Sequence, residues 1–156
     1  MFLGKVNIFR SSLSKFRKKV IGEFREDVLS NIICKNIEKY IDKNKNKNLN
    51  FLDYGAGYNP ILIKKIINKL SKKYKQKNFM AHCYDFYDTN KIKELNSNKK
   101  IVFKHIDKLR SSTTKNYDFC LVVDVIHHIN INNKKKIINL LKFLKKKLKL
   151  IIIKDH

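Results

Sequence analysis

Five aspartates, Asp53, Asp85, Asp107, Asp124 and Asp155, each stand at the end of a short apolar run. A carboxylate can accept from hydroxyls, counter a cation or help to hold a metal. The chain carries 36 Lys+Arg against 13 Asp+Glu, so this repeated placement of scarce acids is a pattern. If the runs are parallel strands, all five carboxylates fall on one edge of a sheet, where open α/β sheets bind their ligands. An acidic crevice in a basic body follows.

The richest segment is Phe51-Leu52-Asp53-Tyr54-Gly55-Ala56-Gly57-Tyr58-Asn59-Pro60. Its glycines fall at a strand-to-helix turn, where a missing Cβ lets a ligand approach the backbone. Gly-x-Gly alone also opens nicotinamide and flavin sites. Asp53 discriminates between them: a pyrophosphate at the helix N-terminus would be repelled by this carboxylate, whereas a ligand with a cationic amine would be attracted.

Two histidines, His127 and His128, follow Asp124. Either imidazole titrates near neutrality and suits proton removal from an acceptor. The structural alternative has one histidine packed under the loop and the other in solvent. Asp124, His127, His128, Asp155 and His156 could converge on the same edge as metal ligands, but their spacing fits no compact ligand motif, and no metal is expected.

These residues need a frame that brings them to one edge. From Leu49 the pattern alternates strand with helix: strands at about Leu49–Tyr54, Phe79–Tyr84, Ile101–Ile106, Phe119–Val123 and Leu150–Ile153. Helical stripes lie between them, after Pro60, weakly around Lys91–Leu95, and over Ile137–Leu148. The expected fold is α/β, a Rossmann-like doubly wound parallel sheet of strand order 3-2-1-4-5. Two N-terminal helices precede it. Phe2, Val6, Phe9, Leu13, Phe16 and Val20 mark the first, and Phe24, Val28, Ile32, Ile33, Ile37 and Ile41 the second. Residues 1–48 thus read as helices plus a Lys/Asn linker, and 49–156 as the ligand-binding domain.

In Asp53, Gly55 and Gly57 the chain resembles the class I S-adenosylmethionine-dependent methyltransferases, whose first motif is an acid, a spacer and a glycine-rich turn. The likeness covers roughly residues 49–156. The family's third glycine is Asn59 here, a residue type that tolerates the left-handed backbone. By this resemblance the turn holds the methionine part of S-adenosylmethionine. Asp85 matches the ribose-binding acid, with Asp88 as runner-up, and Asp107 the acid that meets the adenine amino group. Asp124-Val125-Ile126-His127-His128-Ile129 is similar to the fourth motif of members that act on small molecules or lipids, so Asp124 also counts among the cofactor contacts. The Asn/Asp-Pro-Pro-Tyr/Phe motif of amino-group nucleic-acid methyltransferases is missing.

The implied activity is methyl transfer from S-adenosylmethionine to a small-molecule or lipid acceptor. Members of the family usually continue past the fifth strand with a helix and an antiparallel strand pair. Leu150–Ile153 is therefore expected to be an open apolar edge that seeks a second copy or a partner chain. A truncated, non-catalytic S-adenosylmethionine-binding module is the alternative. An RNA methyltransferase or RNA-binding protein is a further one that rests on charge alone.

The net charge of +23 ordinarily points to nucleic acid or an anionic membrane. Lys, Asn and Ile are crowded along the whole chain, so the lysines read first as a solvated surface. The basic, acid-free start suits a helix packed on its own domain, and secondarily a peripheral membrane contact or an organellar transit peptide. Cys34, Cys83 and Cys120 lie far apart in apolar surroundings and read as reduced core thiols of a cytoplasmic protein. No apolar run approaches the roughly 20 residues of a membrane-spanning helix.

Overall fold

The computed structural model describes residues 6–9, 22–57, 60–88, 90, 92, 100–111, 116–129 and 134–155. Six strands form one parallel sheet: β1 (Val6–Phe9), β2 (Asn48–Tyr54), β3 (Asn78–Asp85), β4 (Ile101–His105), β5 (Tyr117–Val123) and β6 (Leu148–Lys154). The helices are α1 (Gly22–Lys43), α2 (Ile61–Lys73), the single turn α3 (Lys108–Ser111) and α4 (Lys134–Lys147). Laterally the sheet runs β1-β6-β5-β2-β3-β4. The five strands β2 to β6 follow the expected 3-2-1-4-5 order.

Alternation along each strand builds two cores. Phe51, Phe119, Leu121, Leu150 and Ile152 face one way, beneath Ile33, Ile37 and Ile41 of α1 and Ile63, Ile66, Ile67 and Leu70 of α2. Leu52, Cys120, Val122, Ile151 and Ile153 face the other, beneath Leu109 of α3 and Leu144 of α4. Such strands must be apolar on both faces, which explains the nearly unbroken run Phe119–Val123. At the centre, the Phe51 and Phe119 rings lie 4.9 Å apart and join β2 to β5. Full burial of each such ring contributes about 1.5–3 kcal/mol.

Asp118 sits among these apolar residues at the start of β5. It is buried, yet it accepts from the Asn50 backbone N–H at 3.0 Å and from Lys149 Nζ at 2.8 Å. Those bonds tie β2, β5 and β6 at the end of the sheet opposite the glycine turn. The three cysteines are buried free thiols, and burial raises the pKa of each. Among the described residues no helix is long and apolar enough to cross a membrane.

One expectation is corrected at the N-terminus. Of the two helices read there, the second is α1, but Val6–Phe9 is a strand, paired in parallel with Ile151–Lys154. Val-Asn-Ile-Phe alternates locally and is rich in strand-forming types, and the outer edge of β6 offers unpaired backbone groups. Pairing there outweighs the helical spacing. The same pairing removes the open edge expected of the fifth strand, because β6 is an interior strand flanked by β1 and β5. Residues 2–5 and 10–20 of the first expected helix, and most of the weak helix around 91–95, lie outside the described residues.

Candidate ligand site at the sheet switch point

The chain passes from β2 to β3 and β4 on one side, then returns to lay β5 against the other side of β2. Neighbouring strands whose connections diverge leave a crevice at their carboxyl ends. A cavity of about 300 Å³ lies there, lined by Glu26, Asp53, Gly55, Ala56, Pro60, Ile61, Leu62, Val123 and Asp124. The elements of the crevice contribute from their expected ends, β2 and β5 from their C-termini and α2 from its N-terminus, and α1 adds Glu26.

The turn between β2 and α2 is fixed by β3. Gly55 N–H donates to the Tyr84 carbonyl at 2.8 Å, and Gly57 N–H donates to the Asp85 carboxylate at 2.7 Å. The other Asp85 oxygen accepts from Phe86 N–H at 2.7 Å. The Tyr87 hydroxyl closes the loop by donating to the Gly57 carbonyl. Gly55 and Gly57 hold φ of +73° and +67°, in the left-handed region. Their surroundings differ: a Cβ on Gly55 would lie 2.4 Å from Val125, whereas one on Gly57 would meet nothing within 4 Å. Gly55 is a packing glycine. Gly57 leaves space that a ligand can use.

Asp53 is 7% exposed at the cavity wall. Burial, reinforced by the nearby carboxylates Asp85 and Glu26, pushes its pKa up to about 7. Glu26 reaches the same cavity from α1 and is also raised, chiefly by burial, with Arg25 acting against the shift. Asp124 is different. Burial acts to raise its pKa, but hydrogen bonds from Lys154 and Arg25 overcome that and hold it below the usual carboxylate range. Its backbone is also left-handed, at φ +55°, with its N–H on the Lys154 carbonyl at 2.8 Å. Asp124 already has its counter-ions and Glu26 has Arg25 at 3.9 Å, so Asp53 is the carboxyl of this cavity most in need of a cation.

The structure therefore brings Asp53, Gly55, Gly57, Asp85 and Asp124 together. Asp107 stands apart at the end of β4, with a side chain 84% exposed and His105 Nδ1 at 3.3 Å. Asp88 is exposed beyond β3, and Asp155 follows β6. His128 is exposed on the short 3-10 turn Ile126–His128. His127 lies in that turn, but its side chain is outside the described residues, as are Asn59 and His156. Among the described residues no three His, Cys, Asp or Glu side chains are grouped to hold a metal ion.

Sequence reasoning missed Glu26, Arg25, Lys154 and Phe86. Glu26 carries a legible signal, since it precedes Leu29, Ile33 and Ile37 at three- and four-residue steps and so falls on the buried stripe of α1. A lone acid on such a stripe implies a polar cavity below it. Lys154 extends an isoleucine run inward, to 8% exposure, where only Asp124 makes it tolerable. Phe86 gave no periodic signal; it is 72% exposed beside Asp85, edge-on to His105.

No protein-family model matches this sequence, and a search of curated proteins finds no match. The functional reading accordingly rests on the fold and on the residues around the cavity.

Proposed function

We propose that the chain binds S-adenosylmethionine at the end of β2 and transfers its methyl group to a small-molecule or lipid acceptor. The observation that carries this reading is the pair Asp53 and Glu26 on a cavity lined also by Gly55 and Ala56, within a protein of net charge +23. Two carboxyls strained by burial gain most from a cationic ligand and repel a pyrophosphate. The open space at Gly57 gives a ligand close access to the backbone, so the residues present fit an amino-acid moiety with a positive charge.

The bound cofactor supplies an electrophilic methyl group on a sulfonium. The chain's task is then to bind and orient. Asp53 and Glu26 counter the ligand's positive charge; Asp85, anchored to Gly57 and Phe86, keeps acceptor capacity for ribose hydroxyls. Phe86 offers an exposed aromatic face beside it, and Asp107, further along the same sheet edge, suits an exocyclic amine. His128, on the turn after β5, is the candidate for taking a proton from the acceptor. Alignment of acceptor and methyl supplies much of the rate in such a displacement, so this histidine serves as an assisting base.

Titration calorimetry with S-adenosylmethionine, its demethylated product and NAD tests the reading. The expected outcome is binding of the first two in preference to NAD. Equal or tighter binding of NAD, with no response to the methionine cofactor, would overturn it. Binding without methyl transfer across a panel of small-molecule and lipid acceptors would leave the non-catalytic module as the function.

A further inference from the structure

The large positive charge is not distributed alike on the two faces of the sheet. On the α1–α2 face the acids of α1 are interleaved with lysines, and three lysines are matched to them. Lys65 lies 2.8 Å and Lys69 3.7 Å from Asp27, and Lys73 lies 2.7 Å from Glu38. On the other face, α4 has the sequence KKKIINLLKFLKKK and contains no acid. Residues 125–154 likewise contain neither Asp nor Glu. Lys135, Lys142, Lys145 and Lys146 of α4 are exposed, and none of the four makes an ion pair among the described residues.

Helical geometry places these four within one stripe. Steps of seven and four residues put Lys135, Lys142 and Lys146 on nearly one line, with Lys145 flanking it, and the eleven-residue span at 1.5 Å per residue gives a track about 16 Å long. Each strand of a DNA duplex carries one phosphate per about 3.4 Å of helix axis, so the track matches the length of roughly four or five phosphates on a duplex strand. An anionic bilayer is the competing partner. An interfacial helix must have an apolar face to insert, and α4 has already committed its own. Leu144 is fully buried against the sheet, and Leu140, Leu141 and Phe143 pack around it; Ile138 is the exposed large hydrophobic residue of this helix.

We propose that the outer face of α4 is a nucleic-acid docking surface that holds a sugar–phosphate backbone through Lys135, Lys142, Lys145 and Lys146. It is independent of the cofactor reading. Contacts of this kind position the strand without reading sequence.

Fluorescence anisotropy of the full chain with a labelled mixed-sequence single-stranded RNA of about 20 nucleotides, across a potassium chloride series, tests it. One variant carries K135Q, K142Q, K145Q and K146Q. A control carries K35Q, K39Q, K43Q and K72Q, exposed lysines of α1 and α2 that remove the same charge. The α4 variant is expected to lose at least tenfold in affinity, and its salt slope to fall by about 3, near 0.7 per lost contact. The control is expected to change less than threefold. Equal losses in both variants would show diffuse attraction and overturn the proposal. So would wild-type protein that fails to bind the RNA at low salt, or whose affinity is insensitive to salt. Loss of binding to phosphatidylserine vesicles in the α4 variant, with RNA binding unchanged, would assign the surface to a membrane instead.

Discussion

The Asp85 carboxylate, at the end of β3, accepts the Gly57 N–H of the turn that follows β2, at 2.7 Å. Two motifs 28 residues apart in sequence are therefore one structural unit. A change in the acid alters the turn as well as any ligand held beside it.

Asp85→Ala is accordingly expected to act twice. It removes charge-assisted hydrogen bonds to the ligand, costing roughly 1.5–3 kcal/mol of binding, and leaves two backbone N–H groups without their acceptor, costing about 1–3 kcal/mol of stability. Asp88→Ala should leave both quantities nearly unchanged, because Asp88 is exposed beyond the turn. Calorimetry and urea unfolding on the two variants check this. Larger effects from Asp88 would mean that the wrong acid has been assigned to the ribose.

Asp53 gives a pH dependence of defined sign. Its folded pKa of about 7 lies above the ordinary 3.8, so the folded state holds a proton that the unfolded state releases. The group has no effect below about pH 4, lowers stability progressively between there and pH 7, and exerts its full cost above. That cost is on the order of 4 kcal/mol at most. Asp53→Asn should therefore raise the melting temperature at pH 8 and hardly change it at pH 4, while weakening a cationic ligand at the higher pH. A pH–stability profile identical to wild type would refute the assignment of this burden to Asp53.

The two glycines should separate folding from binding. Gly55→Ala drives a Cβ to 2.4 Å from Val125 in a left-handed backbone and should destabilise by about 2–4 kcal/mol. Gly57→Ala meets open space, so only its backbone conformation costs stability, about 1–2 kcal/mol. Its methyl group would project where the ligand is proposed to sit. Ligand affinity should fall in Gly57→Ala more than its stability does, and a thermal-shift titration would detect the difference.

Much of this architecture was legible because it depends on short-range pattern. Runs such as Phe119–Val123 announce central strands, and Asp53 with Gly55 and Gly57 announces a turn that needs an unhindered backbone. The N-terminal strand was not legible. Four residues whose apolar spacing suggests a helix take the extended form because of an edge supplied by Ile151–Lys154, far away in sequence. Glu26 and Lys154 were hidden for a related reason: a buried charge is intelligible only when its partner or cavity is known. Asp107 shows the reverse, since its sequence position matches the family pattern while its side chain stands in solvent.

Asp124 and Lys154 make a further measurable contrast. Asp124→Ala leaves the buried Lys154 ammonium without its carboxylate and should cost about 3 kcal/mol. Lys154→Met leaves Asp124 with Arg25 and should cost much less. The stability that Asp124 contributes is complete above its ordinary value of 3.8 and is lost as pH falls through its depressed folded value. Urea unfolding of the single and double variants at pH 7 checks the asymmetry. A double variant as unstable as Asp124→Ala alone would show that the buried ammonium is not the source of the loss.

The β1–β6 pairing also imposes an order on the chain's assembly. Val6 lies beside Ile151, so β1 leaves a ribosome well before β6, the strand that it adjoins. At about 5–20 residues per second, roughly 7–30 s separate their synthesis. During that interval Val6–Phe9 must wait unpaired while α1, β2, α2 and β3 collapse. Contacts of such long sequence separation form late. A nascent-chain binding factor that masks Val6–Phe9 would therefore delay only the β1–β6 seam, leaving the switch-point crevice free to form ahead of it.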